Sequence, residues 1–454
     1  MKYFYRFRYP LMMVIPCSNP FYRNVGNLRE QAGGWVDCDH SIPSTTLTKL
    51  FARDSYRVIT EQIFAGKQRP KKAIVTGSPG IGKSLFLIYI LQKLVKQGKR
   101  VLFIYHPRII YFDCEGGIFE FSHIPPYTER NIWNDTLWCL FDARGRSTTD
   151  LNPLPYNNCN FVLSISPNPS MVHDFKKPPV AKVFYMPIWS KDELQIISEL
   201  FPHSDTWEER FRDLGGVPRS VFEATCEPSR LILKKACVRC DLAECTKITA
   251  LDSNCSDVHA LVHIDSEPPF TTSFVQYAST SAFETIVETK KLEARRNMGA
   301  LLEACRGQPH AARLCARIFE DHAMELLQAG GTFAYRPLFY DGRTRTLGDG
   351  LLVIPASESR ISADDIDSNH TLRRLHVPCL KKNVDAWIPG IGAFQTTVSM
   401  DYEISGETEA MLKLVNPKWN VLYWLLPPPF YDTFTMKNPY TLEQYAVLIP
   451  YPTQ

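Results

Sequence analysis

Short apolar runs alternate with helical and loop segments between residues 72 and 188. The runs are rich in Val, Ile, Leu and Phe, which is typical of strands buried on both faces of a sheet. A strongly periodic helix over 83–96 separates the first two runs. The predicted strands are 72–77, 100–105, 109–113, 137–142, 161–166 and 182–188. This alternation predicts an α/β fold built on a parallel sheet.

The segments on either side of these strands have different patterns. Residues 1–45 are turn-rich and aromatic without a sustained period, and a helix is predicted over 47–64. Ser190 and Glu193 have the spacing of a capping box, so helices are predicted over 191–225, interrupted at Gly215-Gly216. The pattern then blurs to about residue 280, which indicates a junction between domains.

The C-terminal part predicts a helix, then strands, then a second helix and a last strand. The first helix covers 311–328 and ends at Gly330-Gly331, and the second covers 406–415. The predicted strands are 332–340, 351–355, 372–378, 383–389, 393–399 and 421–427. The resulting division is an N-terminal segment 1–45, a first α/β domain 46–225, a helical linker 226–295 and a second α/β domain 296–454.

Composition narrows the function classes. The chain has 454 residues with 51 basic and 48 acidic side chains, which gives a net charge of +3. A charge so close to zero does not indicate nucleic-acid binding, and any surface that binds nucleic acid must be a local basic patch. No window approaches 18 uninterrupted apolar residues, so no membrane partner is expected. Thirteen irregularly spaced cysteines favour free thiols in a reducing compartment. We therefore expect an intracellular protein of the cytoplasm or nucleus.

Residues 77–84 form a complete phosphate-loop motif between a predicted strand and a predicted helix. They read Gly77-Ser78-Pro79-Gly80-Ile81-Gly82-Lys83-Ser84, which matches G-x-x-x-x-G-K-[ST]. The glycines let backbone N–H groups turn around a phosphate, and the helix N-terminus adds partial positive charge. Lys83 would reach the β- and γ-phosphates, and the Ser84 hydroxyl would bind Mg²⁺. The motif predicts ATP or GTP with Mg²⁺, and nothing in it selects the base.

An acidic residue at a neighbouring strand end would complete the magnesium site. Asp142 ends the predicted strand 137–142 and is the first candidate, and Asp113 is a competing one. Ala143 follows Asp142 in place of a second acid, so hydrolysis is expected to be slow or to need a partner.

Other polar residues could contact the phosphates. Arg219 lies in Gly215-Gly216-Val217-Pro218-Arg219 and is predicted near them, although an ordinary surface position remains open. Three polar residues at the end of the predicted strand 161–166 could sense the γ-phosphate, or belong to an ordinary loop at the strand end: Ser164, Ser166 and Asn168.

Taken in series, these motifs resemble a known family. TGSPGIGKSLFLIYIL with LFARDSYRVI, YFD, LWCLFDA, SISPNP and GGVPR is similar to the NTPase module of the Crinkler effectors of oomycetes and chytrid fungi. Retrotransposon hot spot proteins of trypanosomes have a similar module. RIFEDHAMELLQAGGTF and NVDAWIPGIGAFQTTVS resemble the restriction-endonuclease-like domain that follows it in that family. The resemblance covers roughly residues 36–435 and implies an AAA/STAND-like P-loop NTPase before a PD-(D/E)XK-type domain.

The sequence departs from the family pattern at two places. It shows neither a ubiquitin-like header nor an LxLFLAK-type translocation motif, so secretion into a host cell and its nucleus is an alternative that stays open. The usual His-Pro-Ile reads Asp401-Tyr402-Glu403-Ile404.

The resemblance also implies a nuclease site, in a degenerate form. Such sites bring carboxylates to a metal ion, and here they would be Glu320 and Asp385, with Asp385 a tentative metal ligand. Gln395 and Thr397 stand where a Glu-x-Lys would complete the site. Gln395 could offer a carbonyl ligand, but Thr397 lacks the charge of a lysine. The nearby Lys381 and Lys382 could supply that charge, and both an active and an inactive domain remain open.

Two further groups of side chains have weaker patterns. Basic pairs could contact DNA phosphates, although solvated surface is the commoner role of such pairs: Arg373-Arg374 and Lys381-Lys382. A second group has C-x₂-C and C-x₃-H spacings that zinc could use, but their intervals match no standard finger and free thiols are favoured: Cys237, Cys240, Cys245, Cys255 and His259.

Two functions therefore compete. The first is an enzyme that hydrolyses ATP or GTP and thereby controls a nuclease-like, DNA-binding domain, with nucleotide-dependent self-association. The second is a binding switch that holds nucleotide with little turnover and recognises DNA or a protein without cutting it.

Overall fold

The computed structural model describes most of the chain and divides it into two compact units. It describes all residues except 1–13, 66–69, 145–153, 156, 168–180, 202–203, 223–226, 248–256, 306–308, 340–349, 357–383, 389–390, 403, 405–420, 439 and 453–454. The first unit ends at Thr285 and the second begins at Ile286. The four-part division expected from the sequence stays a prediction.

The first unit contains twelve strands and eight complete helices among its described residues. The strands are β1 Val14–Pro16, β2 Trp35–Asp37, β3 Lys49–Phe51, β4 Lys72–Thr76, β5 Arg100–Tyr105, β6 Arg108–Phe112, β7 Ile118–Phe121, β8 Leu137–Asp142, β9 Asn160–Ser164, β10 Lys182–Tyr185, β11 Val262–Asp265 and β12 Phe274–Tyr277. The helices are α1 Pro20–Asn24, α2 Asp54–Phe64, α3 Lys83–Lys96, α4 Lys191–Ser198, α5 Trp207–Leu214, α6 Pro218–Phe222, α7 Ser229–Arg239 and α8 Leu242–Lys247. Short 3₁₀ turns cover Val25–Asn27, Ala32–Gly34 and Asp257–Ala260.

Eight strands of this unit form one large, mostly parallel sheet in the order β1-β7-β6-β5-β8-β9-β4-β10. The five strands β5, β8, β9, β4 and β10 run parallel. The α/β class predicted from the sequence is therefore confirmed. The run 109–113 departs from the expected parallel order, because β6 pairs antiparallel with β5. Only two residues separate these strands, too few for the crossover that a parallel pair needs.

Apolar side chains cover both faces of this sheet. Every residue of β4, β8 and β9 is buried. On β4, Val75 packs into the core cluster that contains Phe86 of α3, whereas its neighbour Ile74 packs into the cluster on the opposite face. Because successive strand residues point to opposite faces, a continuous apolar run fills two cores at once.

Residues 14–51 contain more regular secondary structure than their sequence pattern predicts. The helix predicted over 47–64 begins at Asp54, because residues 49–51 pair with β2 as strand β3. Phe21 and Tyr22 are buried in the main core, and β1 extends the sheet beside β7. These elements are three to five residues long, so no period marks them, and tertiary packing decides their conformation.

The predicted helix start at residue 191 is confirmed in detail. The Ser190 hydroxyl accepts a hydrogen bond from the Glu193 backbone N–H at 3.1 Å, and the Glu193 carboxylate accepts one from the Ser190 N–H at 3.0 Å. The interruption at Gly215-Gly216 is also present, between α5 and α6.

Among its described residues the second unit combines three helices with a six-stranded sheet, and α9 Thr280–Arg296 spans the boundary between the units. Its helices are α10 Met298–Ala304, α11 Pro309–Ala329 and α12 Pro428–Tyr431. Its strands are β13 Gly331–Pro337, β14 Gly350–Ile354, β15 Ala386–Ile388, β16 Gly392–Thr396, β17 Val421–Leu426 and β18 Glu443–Leu448, in the order β14-β13-β18-β17-β16-β15. The central strands β16, β17 and β18 run parallel.

Most elements predicted for this unit are present. The helix 311–328 corresponds to α11, followed by Gly330 with a φ of 71°. The strand expected over 372–378 and the helix expected over 406–415 lie outside the described residues. Strand β18 was not predicted, because it starts with the polar residues Glu443 and Gln444.

The expectation of free thiols is wrong for one pair. Cys305 and Cys315 form a disulfide, because α10 and α11 pack together and bring the two residues into contact. Among the helices that the structure describes, none combines the length and the apolar character that crossing a bilayer requires.

We predict that Gln444→Leu lowers the free energy of unfolding by about 2 kcal/mol, since it leaves buried partners unsatisfied. Gln444 is 1% exposed. Its Oε1 accepts hydrogen bonds from Trp424 Nε1 at 3.0 Å and from the Lys437 N–H at 2.9 Å, and its Nε2 donates to the Lys437 carbonyl at 2.6 Å. Urea unfolding followed by tryptophan fluorescence measures the change. The same substitution at the exposed Gln195 is the control, and equal effects at both positions would contradict the prediction.

Candidate functional site

The loop between β4 and α3 has the backbone geometry that a phosphate cradle requires. Gly77, Gly80 and Gly82 have φ values of 139°, 87° and 98°, a region that favours glycine. Side chains would also collide there. A Cβ at Gly80 would lie 2.7 Å from the Arg219 Cβ, and one at Gly82 would lie 2.7 Å from the Tyr56 hydroxyl. The glycines are therefore needed for both conformation and space.

Lys83 begins α3 and folds back over the loop. Its side chain is 7% exposed, and Nζ donates hydrogen bonds to the Gly77 carbonyl at 2.8 Å and the Ser78 carbonyl at 2.9 Å. Burial and, to a smaller extent, the Arg219 guanidinium lower the pKa of Lys83 to about 7, while the Asp142 carboxylate opposes both. Arg219 and Asp142 therefore both lie within electrostatic reach of Lys83.

Asp142 reaches this site because of the strand order. Strands β4, β9 and β8 are adjacent and parallel, so the phosphate loop, Ser164 and Asp142 follow the same edge of the sheet. Asp142 is 2% exposed, and its Oδ1 accepts a hydrogen bond from the Arg144 N–H at 3.1 Å. Its Oδ2 is buried without a hydrogen-bond donor and lies 3.5 Å from Arg144 Nη2. A buried carboxylate oxygen of this kind suits a cation.

The other polar candidates lie in different places. Asp113 directly follows β6, which runs antiparallel to β5, so it lies at the opposite edge of the sheet. Its Oδ1 accepts hydrogen bonds from the Glu115 and Gly117 N–H groups, which explains the residue as a turn former. Ser164 is buried opposite Asp142, Ser166 is exposed, and Asn168 lies outside the described residues.

The segment 215–219 brings Arg219 to the loop through close backbone packing. The Trp189 N–H donates to the Gly216 carbonyl at 2.8 Å, and a Cβ at Gly216 would lie 2.1 Å from the Trp189 carbonyl oxygen. Val217 and Arg219 then pack directly against Gly80. The two glycines of this motif thus allow the contact that places an arginine beside the loop.

The second unit brings part of its predicted site together. Glu320 is on α11, and burial raises its pKa to about 7, with the Asp385 carboxylate adding to the effect. Asp385 Oδ2 accepts hydrogen bonds from Gln395 Nε2 at 3.1 Å and from the Thr396 N–H at 2.6 Å, as well as from the Thr396 hydroxyl. Gln395 Oε1 is buried without a donor. Glu320, Asp385 and Gln395 therefore form one polar cluster.

Among the described residues of that predicted site, Thr397 is not brought into the cluster. The Thr397 hydroxyl donates to the Ser399 carbonyl and accepts from the Ser399 N–H, both at 3.1 Å, so it stabilises its own turn. The pairs Arg373-Arg374 and Lys381-Lys382 lie outside the described residues. Tyr402, which the sequence analysis did not assign to the site, lies close to Asp385, since that carboxylate adds to the burial that raises the Tyr402 pKa.

No protein-family model matches the chain. Crinkler effector protein 16 and Crinkler effector protein 15, both from Phytophthora infestans, are each 38% identical to it over 447 residues. The alignments cover 96% of this chain and 72% of each relative. The chain belongs to the Crinkler effector family. The resemblance drawn from the sequence motifs is confirmed at the level of the family.

In this Crinkler protein, several residues that contact the loop were not predicted as site residues. Tyr56 Oη donates to the Gly82 carbonyl, and Trp189 Nε1 donates to the Ile81 carbonyl. The Ile264 N–H of β11 donates to the Ser78 hydroxyl at 2.9 Å. Ser78 and Ile264 are 186 positions apart, so only the fold reveals their contact.

The four cysteines and one histidine whose spacings zinc could use are only partly described. Cys237 and Cys240 are buried, and the Cys245 side chain and Cys255 lie outside the description. Within the described part of the chain, no three His, Cys, Asp or Glu side chains are grouped to hold a metal ion. Burial and the nearby Lys83 charge lower the pKa of His259 to about 4. The effect of Lys83 indicates that His259 lies near the phosphate loop.

We predict that this Crinkler protein loses stability as the pH falls below 6.5, partly because of His263. This residue of β11 is 1% exposed, and neither ring nitrogen has a hydrogen-bond partner. Burial lowers its pKa to about 4, with His259 adding to the effect. The unfolded chain binds the proton first, so the stability present above pH 6.5 is lost as pH falls toward 4, by about 2 kcal/mol at pH 5 for this group.

His263→Leu should reduce the difference in unfolding free energy between pH 7 and pH 5, measured by urea titration. His106→Leu is the control, because His106 is exposed. An unchanged pH dependence in His263→Leu would argue against the assignment.

Proposed function

We propose that this Crinkler effector binds ATP or GTP with Mg²⁺ at residues 77–84 and hydrolyses it slowly. The observation that carries the proposal is the geometry at one sheet edge, where a left-handed glycine loop, a buried lysine and a buried aspartate meet. The strand order supports an AAA/STAND-like P-loop NTPase for the first unit, because one strand, β9, separates the loop strand β4 from β8.

The residues present fit a magnesium nucleotide. The loop N–H groups and the N-terminus of α3 would hold the phosphates, and the Lys83 amine would exchange its two carbonyl partners for phosphate oxygens. Ser84 and the unsatisfied Oδ2 of Asp142 are the oxygen donors that Mg²⁺ prefers. Arg219, packed on Gly80, would add positive charge beside the phosphates.

Slow turnover follows from the residue after Asp142. Ala143 is buried and apolar, so this position supplies no carboxylate to orient a water molecule. The structure therefore also supports a switch that holds nucleotide for long periods.

We expect Lys83→Ala to abolish nucleotide binding, since it removes the positive charge that bonds to the loop and would meet the phosphates. Titration with a fluorescent ATP analogue measures the affinity, and Lys96→Ala on the exposed side of the same helix is the control. Wild-type affinity in Lys83→Ala would contradict the assignment. Asp142→Asn should keep part of the binding and lose phosphate release, which separates magnesium chemistry from binding.

A nuclease-like role is proposed for the second unit. The observation that favours it is the cluster of Glu320, Asp385 and Gln395, in which two carboxylates and a carbonyl oxygen could hold a divalent ion. The alternative is a restriction-endonuclease-like domain that recognises DNA or a protein without cutting. Thr397 favours that alternative, because its hydroxyl is engaged within its own turn.

We expect plasmid nicking in Mg²⁺ or Mn²⁺ if the second unit is active, and its loss in Asp385→Asn. The amide keeps an acceptor for the Thr396 N–H and removes the charge that a metal needs. The exposed Asp401→Asn is the control, and assays with and without ATP show whether nucleotide controls cutting. Absence of nicking by the wild type, with ATP binding intact, would leave the binding switch as the function.

We further propose that the protein acts inside a host cell after secretion, with the host nucleus as the destination. Membership of a family whose members are named effectors supports this proposal.

A further inference from the structure

The carbonyl groups of the phosphate loop are held by side chains around it. Lys83 Nζ donates to the Gly77 and Ser78 carbonyls. The Ile81 carbonyl accepts from Trp189 Nε1 at 2.9 Å, and the Gly82 carbonyl accepts from the Tyr56 hydroxyl at 2.7 Å. Two of these donors, Tyr56 and Trp189, come from outside the motif.

Holding these carbonyls also directs the adjacent N–H groups. A trans peptide is planar, and its C=O and N–H point in opposite directions. Fixing the Ile81 carbonyl toward Trp189 therefore turns the Gly82 N–H away from Trp189. In the same way, fixing the Gly82 carbonyl toward Tyr56 turns the Lys83 N–H away from Tyr56. These two N–H groups lie at the start of α3, where an anion would bind.

Trp189 is itself held by a buried arginine. Arg53 is 2% exposed, and its guanidinium lies 4.4 Å from the centre of the Trp189 ring. Its Nη1 and Nη2 donate to the Pro187 and Ile188 carbonyls at 2.9 and 2.7 Å. Glu193 balances the charge through two hydrogen bonds of 2.9 and 2.8 Å. The two residues before Trp189 are thus fixed by a planar donor that lysine cannot imitate.

Tyr56 follows Arg53 within the first turn of α2 and approaches the loop from that helix. Its ring is fully buried and packs edge-on against Phe86 of α3, with centroids 5.2 Å apart. Its hydroxyl also fills the space that a side chain at Gly82 would need. Arg53 and Tyr56 therefore connect the start of α2 to two successive carbonyls of the loop.

We propose that Trp189 and Tyr56 are positioning residues that set the loop N–H groups for a polyphosphate, and that Arg53 acts through Trp189. The inference rests on the proposed nucleotide-binding function and adds the residues that prepare the loop for the phosphate chain. They contact the protein side of the loop, so their effect is independent of the base.

Trp189→Phe tests this directly, because it keeps an aromatic ring for Arg53 and removes the donor to the Ile81 carbonyl. We expect about tenfold weaker binding of ATP and of inorganic tripolyphosphate, both with Mg²⁺, by isothermal titration calorimetry, the size of one lost hydrogen bond. Trp133→Phe is the matched control. Trp133 is also buried, and its Nε1 donates to the Pro125 carbonyl at 3.1 Å. Both variants should lower the ligand-free melting temperature by similar amounts.

Tyr56→Phe is a second, independent variant, which removes the donor to Gly82 and keeps the ring against Phe86. It should weaken both ligands by a similar factor. Arg53→Lys keeps the charge beside Glu193, and its effect on affinity should be smaller in the Trp189→Phe background than in the wild type, because the two residues act in series.

The outcomes distinguish a failure of nucleotide binding from a failure of the positioning role of Trp189 and Tyr56. If the wild type binds none of ATP, GTP and tripolyphosphate, the proposed function fails and this inference fails with it. If the wild type binds both and Trp189→Phe and Tyr56→Phe bind them equally well, the positioning role is overturned while nucleotide binding stands. Weaker binding of ATP alone, with tripolyphosphate unchanged, would also overturn it, because the effect would then concern the base.

Discussion

The parallel packing of β4, β9 and β8 is the constraint on which the candidate site of the first unit depends. All three strands are buried at every position, so their side chains are committed to the two cores and polar chemistry is confined to the strand ends. Parallel strands present their carboxyl ends at one edge, and this edge collects the phosphate loop, Ser164 and Asp142. A reversal of β8 would place Asp142 at the opposite edge, where Asp113 lies after the antiparallel strand β6.

The positive charge of Lys83 at this edge is shielded from solvent. Lys83 is buried beside Arg219, and both the burial and the second cation lower its pKa to about 7, while Asp142 opposes the change. Backbone carbonyls of the loop satisfy the amine in this structure. The hydrogen-bond partners of the Lys83 amine are thus neutral carbonyls. The amine therefore remains electrostatically complementary to an anion. The cluster of Glu320 and Asp385 in the second unit is the reverse case, since two nearby carboxylates suit a cation.

Much of the architecture could be read from local patterns. The helix 83–96, the strands 100–105 and 137–142 and the capping box at Ser190 occur where the sequence predicts them, because each has a strong period or a defined hydrogen-bonding spacing. The short N-terminal elements, the strand β18 and the Cys305–Cys315 disulfide were not predicted. Their conformations depend on partners distant in the chain or in adjacent helices, and no local period records such contacts.

The sequence by itself determined that a glycine-rich loop joins a buried strand to a helix, with a lysine and a serine at the helix start, and its motifs identified the Crinkler family. The tertiary structure decided which residues surround that loop. Tyr56, Trp189 and Ile264 bond to it from 26 to 186 positions away in the chain, and Arg219 reaches it because Gly216 packs against Trp189. Such contacts form only when the strands and helices pack together. Residues far apart in the sequence can then be neighbours, and no local pattern records which ones are.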